Sequence, residues 1–374
     1  MNCHKSMMKI NAKLALAALA VGLIVAPCSA QLPKGFLRGG DVSEIAQVED
    51  AGGQFFLDGK KIDPFELLKK SGWNFVRFRV WNHPRDGYCD KEHTLALARR
   101  AAKLGFKISI DFHYSDWWAD PGKQPKPAAW ANLSYVDLLS AVTSYTADVV
   151  SSLVKQGTPP YMVQVGNEIT AGMLWPDGKV DSDKPEQWIR LAGLINAGIH
   201  GVHQGGGMKR ILTMIHLDRG GDFAGAIWWF DHIYEKLIPY DAIGLSYYPF
   251  WHGHLDKLGP NLAGLAQRCQ KDVYVVETGY PWTNDVKGRG SERVFADSTK
   301  LEPGYPATPE GQAKFLTKVE SIILNVPGGR GKGLLYWAPT WISAPKSQSP
   351  WDNLALFDFQ GNALPGVAAI GGQK

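Results

Sequence analysis

Short apolar runs that end abruptly on polar residues alternate along this chain with longer segments of helical period. The clearest run spans residues 161–165 and stops at Gly166, Asn167 and Glu168. A strand buried on both faces reads this way: a near-continuous β-prone run, then polar residues where the chain leaves the sheet. A second run, 272–277, ends on Glu277. Runs at 35–43, 73–81, 107–113, 209–216, 241–247 and 331–337 bring the number of predicted strands to eight.

Between them lie segments of helical period at 65–71, 91–104, 134–156, 185–203, 222–237, 255–270 and 308–324. Asp63-Pro64, Ser134 and Thr308-Pro309-Glu310 are start signals, and Gly72 and Gly105 are stops. Eight strands separated by helices predict an α/β fold of the (β/α)8 TIM-barrel type. Segments that leave the strands are long and rich in Trp, Pro, Gly, His and Asp, as at 82–90, 114–133, 171–183, 249–254 and 279–305. Segments that enter them are short. A barrel with its active site on the carboxyl-terminal face should show this asymmetry. No compositional break divides residues 31–374, which are expected to form one domain.

The first thirty residues differ in kind. Lys5, Lys9 and Lys13 precede an apolar stretch at 14–26, followed by Pro27-Cys28-Ser29-Ala30. A basic head, an apolar middle and a small-residue end predict a signal peptide cleaved after Ala30 and a secreted product, periplasmic or extracellular. The apolar stretch is short for a membrane span, so no membrane association is expected after cleavage. Removing three lysines and no acids lowers the net charge from +4 to +1. That leaves no basic excess for a nucleic-acid partner. Cleavage also leaves only Cys89 and Cys269, too few for a zinc site or a disulfide framework.

The fourteen tryptophans add a pointer to the ligand. Trp81, Trp117, Trp118, Trp175, Trp251, Trp282, Trp337 and Trp341 all follow β-like runs rather than sit inside elements. Flat rings on a barrel rim suit the CH faces of sugars. Glu168 and Glu277 end the fourth and seventh predicted strands. Two carboxylates about 5 Å apart across a barrel mouth would support retaining glycoside hydrolysis. Asn167, beside Glu168, is placed to hold a sugar hydroxyl. Arg77 and Arg79 share a strand face, and a guanidinium there would keep one carboxylate ionised; the other arginine is then a wall ion pair. His113 is assigned a positioning role. Tyr247 or Tyr248 could hydrogen-bond the nucleophile, with Tyr247 taken as the site residue, and Trp337 is a natural sugar platform. The scattered histidines have no metal-ligand spacing, and no cofactor or metal is expected.

Together, RGGDVS (38–43), VRFRVW (76–81), DFHYSDWWADPGKQ (111–124), QVGNE (164–168), LSYYPFWHG (245–253) and VVETGYPW (275–282) resemble glycoside hydrolase family 53, the endo-β-1,4-galactanases. The resemblance runs from about residue 35 to 365. It implies that Glu168 is the acid/base and Glu277 the nucleophile. It further implies that Asp116, Trp118, Trp251 and His252 lie in the substrate groove and that Trp337 is the platform at the cleaved residue. The implied substrate is the β-1,4-galactan of type I arabinogalactan, cut internally by a monomer.

The sequence departs from the family pattern in three places. GGDVS stands where GADVS is usual, and Tyr336-Trp337-Ala338-Pro339 lacks the acidic residue of YWEP. The 283–294 loop lacks the ligand pattern of a bacterial calcium site. Two rival readings are a mannanase or xylanase on the same frame and a catalytically silent carbohydrate-binding barrel.

Overall fold

The eight apolar runs form eight parallel strands in a computed structural model that describes residues 35–285, 293–295 and 297–373. The export signal read at 1–30 lies outside those residues. The strands are β1 (Leu37–Asp41), β2 (Phe75–Val80), β3 (Lys107–Phe112), β4 (Met162–Val165), β5 (Leu212–Leu217), β6 (Ala242–Tyr247), β7 (Asp272–Thr278) and β8 (Gly331–Trp337). Each pairs with its neighbour in sequence, and β8 returns to β1 through Gly40 opposite Tyr336 and Asp41 opposite Trp337, closing the barrel. The predicted (β/α)8 fold is the observed one.

Side-chain alternation sorts each strand into an inward and an outward set. Outward residues such as Val76, Phe78 and Val80 are fully buried against the surrounding helices. Inward residues change character along the barrel axis. Near the strand starts Leu37, Phe75, Met162, Met214, Tyr274 and Leu335 form an apolar plug. Burial of a large apolar side chain stabilises by about 1.5–3 kcal/mol, so this plug anchors the lower half. Toward the strand ends the inward positions turn polar: Asp41, Arg77, Asp111, Gln164, His216 and Ser246 are all buried. Polar groups are tolerated there only if they satisfy one another.

The helices begin where their caps predict. In α1 (Pro64–Lys70) Asp63 accepts from the Phe65 and Glu66 amides at 2.8 and 3.2 Å. In α2 (Lys91–Lys103) Asp90 accepts from His93 at 2.8 Å. Ser134 caps α3 (Tyr135–Lys155) and Thr308 caps the later helix Pro309–Leu324. Such caps contribute about 0.5–2 kcal/mol each.

Helix α4 (Pro185–Gly206) runs three residues past the predicted end at 203. Its glycines are packing positions rather than terminators: a Cβ on Gly201 would lie 2.6 Å from the Thr143 carbonyl, and one on Gly205 2.6 Å from that of Ala147. Their absence of a side chain lets α3 and α4 approach backbone to backbone. Strand β5 correspondingly starts at Leu212 rather than 209.

Further helices are α5 (Phe223–Tyr234), α6 (Leu255–Cys269), α7 (Pro309–Leu324) and α8 (Pro365–Ile370), besides two short ones at Ile45–Asp50 and Pro249–His252. The sequence did not signal α8. It packs beneath the barrel, where Trp73 donates to the Val367 carbonyl at 2.9 Å. Cys89 is buried and Cys269 half-buried, and both are free thiols. Among the described residues, no helix is long and apolar enough to cross a membrane.

Candidate active site

Two backbone irregularities bring the two glutamates to the barrel mouth. In β7, Val273 and Val275 belong to the outward core, whereas Tyr274 and Val276 pack inside. Plain alternation would therefore turn Glu277 outward. The pairing with β6 slips instead: Leu245 faces Val275, but the next residue, Ser246, faces Glu277. Val276 is the extra residue of a β-bulge, which re-aims the side chain that follows it. On β4 the turn is sharper. Gly166 has φ 85° and Glu168 itself φ 47°, ψ 52°, a left-handed conformation uncommon outside glycine.

Glu277 sits on a buried ionic floor. Arg77 Nη2 donates to its Oε1 at 2.6 Å, and the Tyr248 hydroxyl donates to its Oε2 at 3.2 Å. The same guanidinium reaches Asp41 at 2.9 Å through Nε and Asp111 at 3.6 Å through Nη1. Burial raises the Glu277 pKa, and the charge and hydrogen bond of Arg77 act against that rise. Burial would likewise raise Asp41, but Arg77 and Arg79 hold it below the ordinary carboxylate range.

Among the described residues no such cation pairs with Glu168. Burial first, then the charges of Glu277 and Asp218, push its pKa well above the ordinary value. Among the described residues its side-chain hydrogen-bond partner is Ser246, whose hydroxyl donates to Oε1 at 2.6 Å. The two carboxyls thus differ in kind: Glu277 has an arginine whose charge offsets much of the effect of burial, whereas Glu168 has burial and like charge both acting to keep its proton on.

Both open into one groove of about 540 Å³. Trp118, Trp251, Trp337, Trp341 and Trp351 are part of its wall, with His113, Asn167, Asp218, Tyr248 and His252 between them. Trp251 is 54% exposed, presenting its ring to solvent. Trp118 stacks on Trp341 at 6.0 Å and 25°, and Trp337 stands edge-on to Trp351 at 4.5 Å. Asn167 is fixed by a 2.9 Å bond from its amide to the Ala119 carbonyl. His113 Nδ1 accepts from Ala119 N at 3.1 Å, which leaves Nε2 as the donor facing Asp111 at 3.4 Å. His252 Nδ1 accepts from Tyr248 N at 3.0 Å, and burial lowers its pKa to about 4, so it is neutral.

Three predicted site residues stand elsewhere. Tyr247 is the wrong tyrosine: its hydroxyl donates to the Gly253 carbonyl at 2.8 Å, because alternation turns it away from the face shared by Ser246 and Tyr248. Arg79 lies beneath the wall, bonded to Asp41 and Glu44 with its guanidinium 4.4 Å from the Trp118 ring centroid. It supports a groove tryptophan and is the wall ion pair of the two arginines. Asp116 braces loops, accepting from His83 N at 2.9 Å and Ala128 N at 2.8 Å.

Sequence reasoning missed Asp41, Asp111, Gln164, His216 and Ser246. Each is a polar residue at an inward position near a strand end, and that period-two signal was available. Two of the departures from the family pattern fall together. Gly40 pairs with Tyr336, and a Cβ there would meet the Tyr336 carbonyl at 2.5 Å and Pro339 at 3.1 Å. Ala338 is fully buried at φ 49° in the cluster that backs Tyr248 and Trp351. Among the described residues no group of three His, Cys, Asp or Glu side chains could hold a metal. Residues 286–292, in the loop read for calcium ligands, lie outside them.

Comparison with known proteins agrees with this geometry. The family model for glycosyl hydrolase family 53 matches residues 37–370. The endo-beta-1,4-galactanase of Bacillus subtilis (strain 168) is 34% identical over 378 residues, covering 89% of this chain and 85% of its own. The arabinogalactan endo-beta-1,4-galactanase of Thermothelomyces thermophilus is 35% identical over 341 residues, with 89% and 98% covered. Among solved structures, the Ignisphaera aggregans GH53 catalytic domain superposes with a TM-score of 0.85 at 37% identity, covering 91% of this chain and 97% of that one. This chain is a glycoside hydrolase and belongs to glycosyl hydrolase family 53.

Proposed function

We propose that this enzyme is a secreted, endo-acting, retaining β-1,4-galactanase in which Glu168 is the acid/base and Glu277 the nucleophile. The observation that carries the catalytic assignment is the contrast between the carboxyls. Arg77 and Tyr248 both donate to Glu277, whereas burial and like charge keep the proton on Glu168. In the first step Glu277 would bond to the anomeric carbon as the glycosidic bond breaks. The proton of Glu168 would pass to the departing oxygen. In the second step Glu168 would take a proton from water as that water displaces Glu277, which restores both groups. With Glu277 esterified its charge is gone, so Glu168 ionises more readily just when a base is needed.

The substrate assignment is supported by the family and by the galactanase names of its relatives. A tryptophan-walled groove suits attack on a polysaccharide. Export is supported by the basic, apolar and small-residue order of the first thirty residues.

The test is hydrolysis of linear β-1,4-galactan beside β-1,4-mannan and xylan, with products resolved by length. Short galacto-oligosaccharides from galactan alone are expected. Faster cleavage of mannan or xylan would overturn the substrate assignment, and binding without cleavage of any would make the chain a silent carbohydrate-binding barrel.

A further inference from the structure

His216 reaches Glu168 at both ends of the residue, directly at the backbone and through Ser246 at the carboxyl. Its Nδ1 lies 3.3 Å from the Glu168 backbone nitrogen, and its Nε2 lies 2.9 Å from the Ser246 oxygen that donates to the Glu168 carboxyl. The imidazole is fully buried, and burial with the nearby charge of Arg77 pushes its pKa well below the ordinary value, so it is neutral. A neutral imidazole carries one proton, and its neighbours decide where.

Gln164 settles the tautomer. Its amide oxygen accepts from Arg77 Nη1 at 3.2 Å and its amide nitrogen donates to Asp111 Oδ1 at 2.7 Å, so the amide cannot be turned over. That nitrogen also stands 2.8 Å from His216 Nδ1. With the Gln164 amide and the Glu168 N–H both aimed at it, Nδ1 is the acceptor. The Asn167 amide oxygen, 3.1 Å from Nδ1, is then a neighbour that receives no proton from it. The imidazole proton sits on Nε2 and is donated to Ser246, whose own proton is thereby committed to Glu168.

Four hydrogen bonds therefore run head to tail in one sense: Arg77 to Gln164, Gln164 to His216, His216 to Ser246, Ser246 to Glu168. Bonds so arranged polarise one another, and each fixes the direction of the next. Arg77 begins this chain and also donates directly to Glu277.

We propose that His216 and Ser246 are positioning residues that clamp the proton donor: they hold Glu168 in its left-handed turn and reserve its Oε1 as an acceptor. The transferable proton is left to Oε2. The clamp also ties the donor to the arginine under the nucleophile. It rests on the reading of Glu168 as the acid/base.

The experiment compares two substrates in the full-length enzyme: linear β-1,4-galactan, whose leaving sugar needs a proton, and 2,4-dinitrophenyl β-galactobioside, whose phenolate does not. Ser246→Ala should lower kcat/KM on galactan by about 10- to 100-fold, the range for partial loss of general acid help. On the dinitrophenyl substrate it should fall less than about 3-fold on the same grounds. Ser246→Thr, which keeps the hydroxyl, should recover most of the galactan rate. His216→Gln should resemble Ser246→Ala, and the melting temperature of each variant reports its folding. Equal losses on both substrates in Ser246→Ala, or no loss on either, would overturn the clamp. Glu168→Gln is the separate control. If it loses both substrates equally, the acid/base assignment itself fails; if it loses galactan and forms dinitrophenolate, that assignment stands whatever the serine variants do.

Discussion

Arg77 places Nη2 2.6 Å from Oε1 of Glu277, in a pair almost wholly sealed from solvent. The guanidinium is shared with Asp41, Asp111 and Gln164, so its geometry is fixed from several sides. Arg77→Lys keeps the charge and loses the planar fork. kcat/KM on galactan should fall by about 100-fold or more, the scale for losing one preorganised electrostatic contact. Arg77→Ala should in addition destabilise the fold by about 3–5 kcal/mol, because the carboxylates around it would be left uncompensated. Steady-state kinetics and denaturant melts check the two effects separately.

Tyr247 and Tyr248 are adjacent and have opposite roles. Tyr248→Phe removes the 3.2 Å bond to Glu277 and should lower kcat by about 10-fold or more. Tyr247→Phe removes only the bond to the Gly253 carbonyl and should leave kcat within about 2-fold. It should cost about 1 kcal/mol of stability, the usual net worth of a hydrogen bond. The reverse pattern would return Tyr247 to the site.

These two tyrosines show what the sequence could and could not convey. Strand order, helix caps at Asp63, Ser134 and Thr308, and the placement of long loops on one face were legible because periodicity and capping are local. Alternation from Ser246 would have selected Tyr248, so that miss lay in the reading. Glu277 was the opposite case. Its position at a strand end drew attention to it, yet only the Val276 bulge turns it inward, and a bulge depends on the register of the neighbouring strand. Arg77 and Arg79 lie on one face and differ in depth, which period two cannot resolve. The clamp through Gln164, His216 and Ser246 joins three strands far apart in sequence, and the long-range contacts that build it leave no local signature. Helix α8 is short, and its place under the barrel is fixed by tertiary packing.

The proton on Glu168 has a cost that pH exposes. Its folded pKa is raised by burial and by the charges of Glu277 and Asp218. Above the unfolded value, near 4.5, the folded state holds a proton that the unfolded state has released. Stability therefore falls as pH rises from that value through the folded pKa. Glu168→Gln removes this penalty. Its melting temperature should exceed that of the wild type at pH 8 by about 2 °C or more, with a smaller difference at pH 4. An equal difference at both pH values would contradict the shift.

Gly201 tests the fold apart from the site. A methyl there would stand 2.6 Å from the Thr143 carbonyl. Gly201→Ala should therefore push α3 and α4 apart and destabilise by about 1–3 kcal/mol, despite the better helix propensity of alanine. Activity of the folded fraction on galactan should be unchanged. A gain in melting temperature would contradict the close helix contact.

The most direct test of the central claim is covalent capture of the nucleophile. The enzyme would be incubated with a 2-deoxy-2-fluoro-β-galactobiosyl donor carrying a good leaving group, which slows hydrolysis of a glycosyl-enzyme. Intact mass and peptide mapping would then locate the label. The account predicts a single added glycosyl group on Glu277, turnover of the label by water or acceptor sugar, and no label in Glu277→Gln. A label on another residue, or inversion at the anomeric carbon with no label at all, would contradict it.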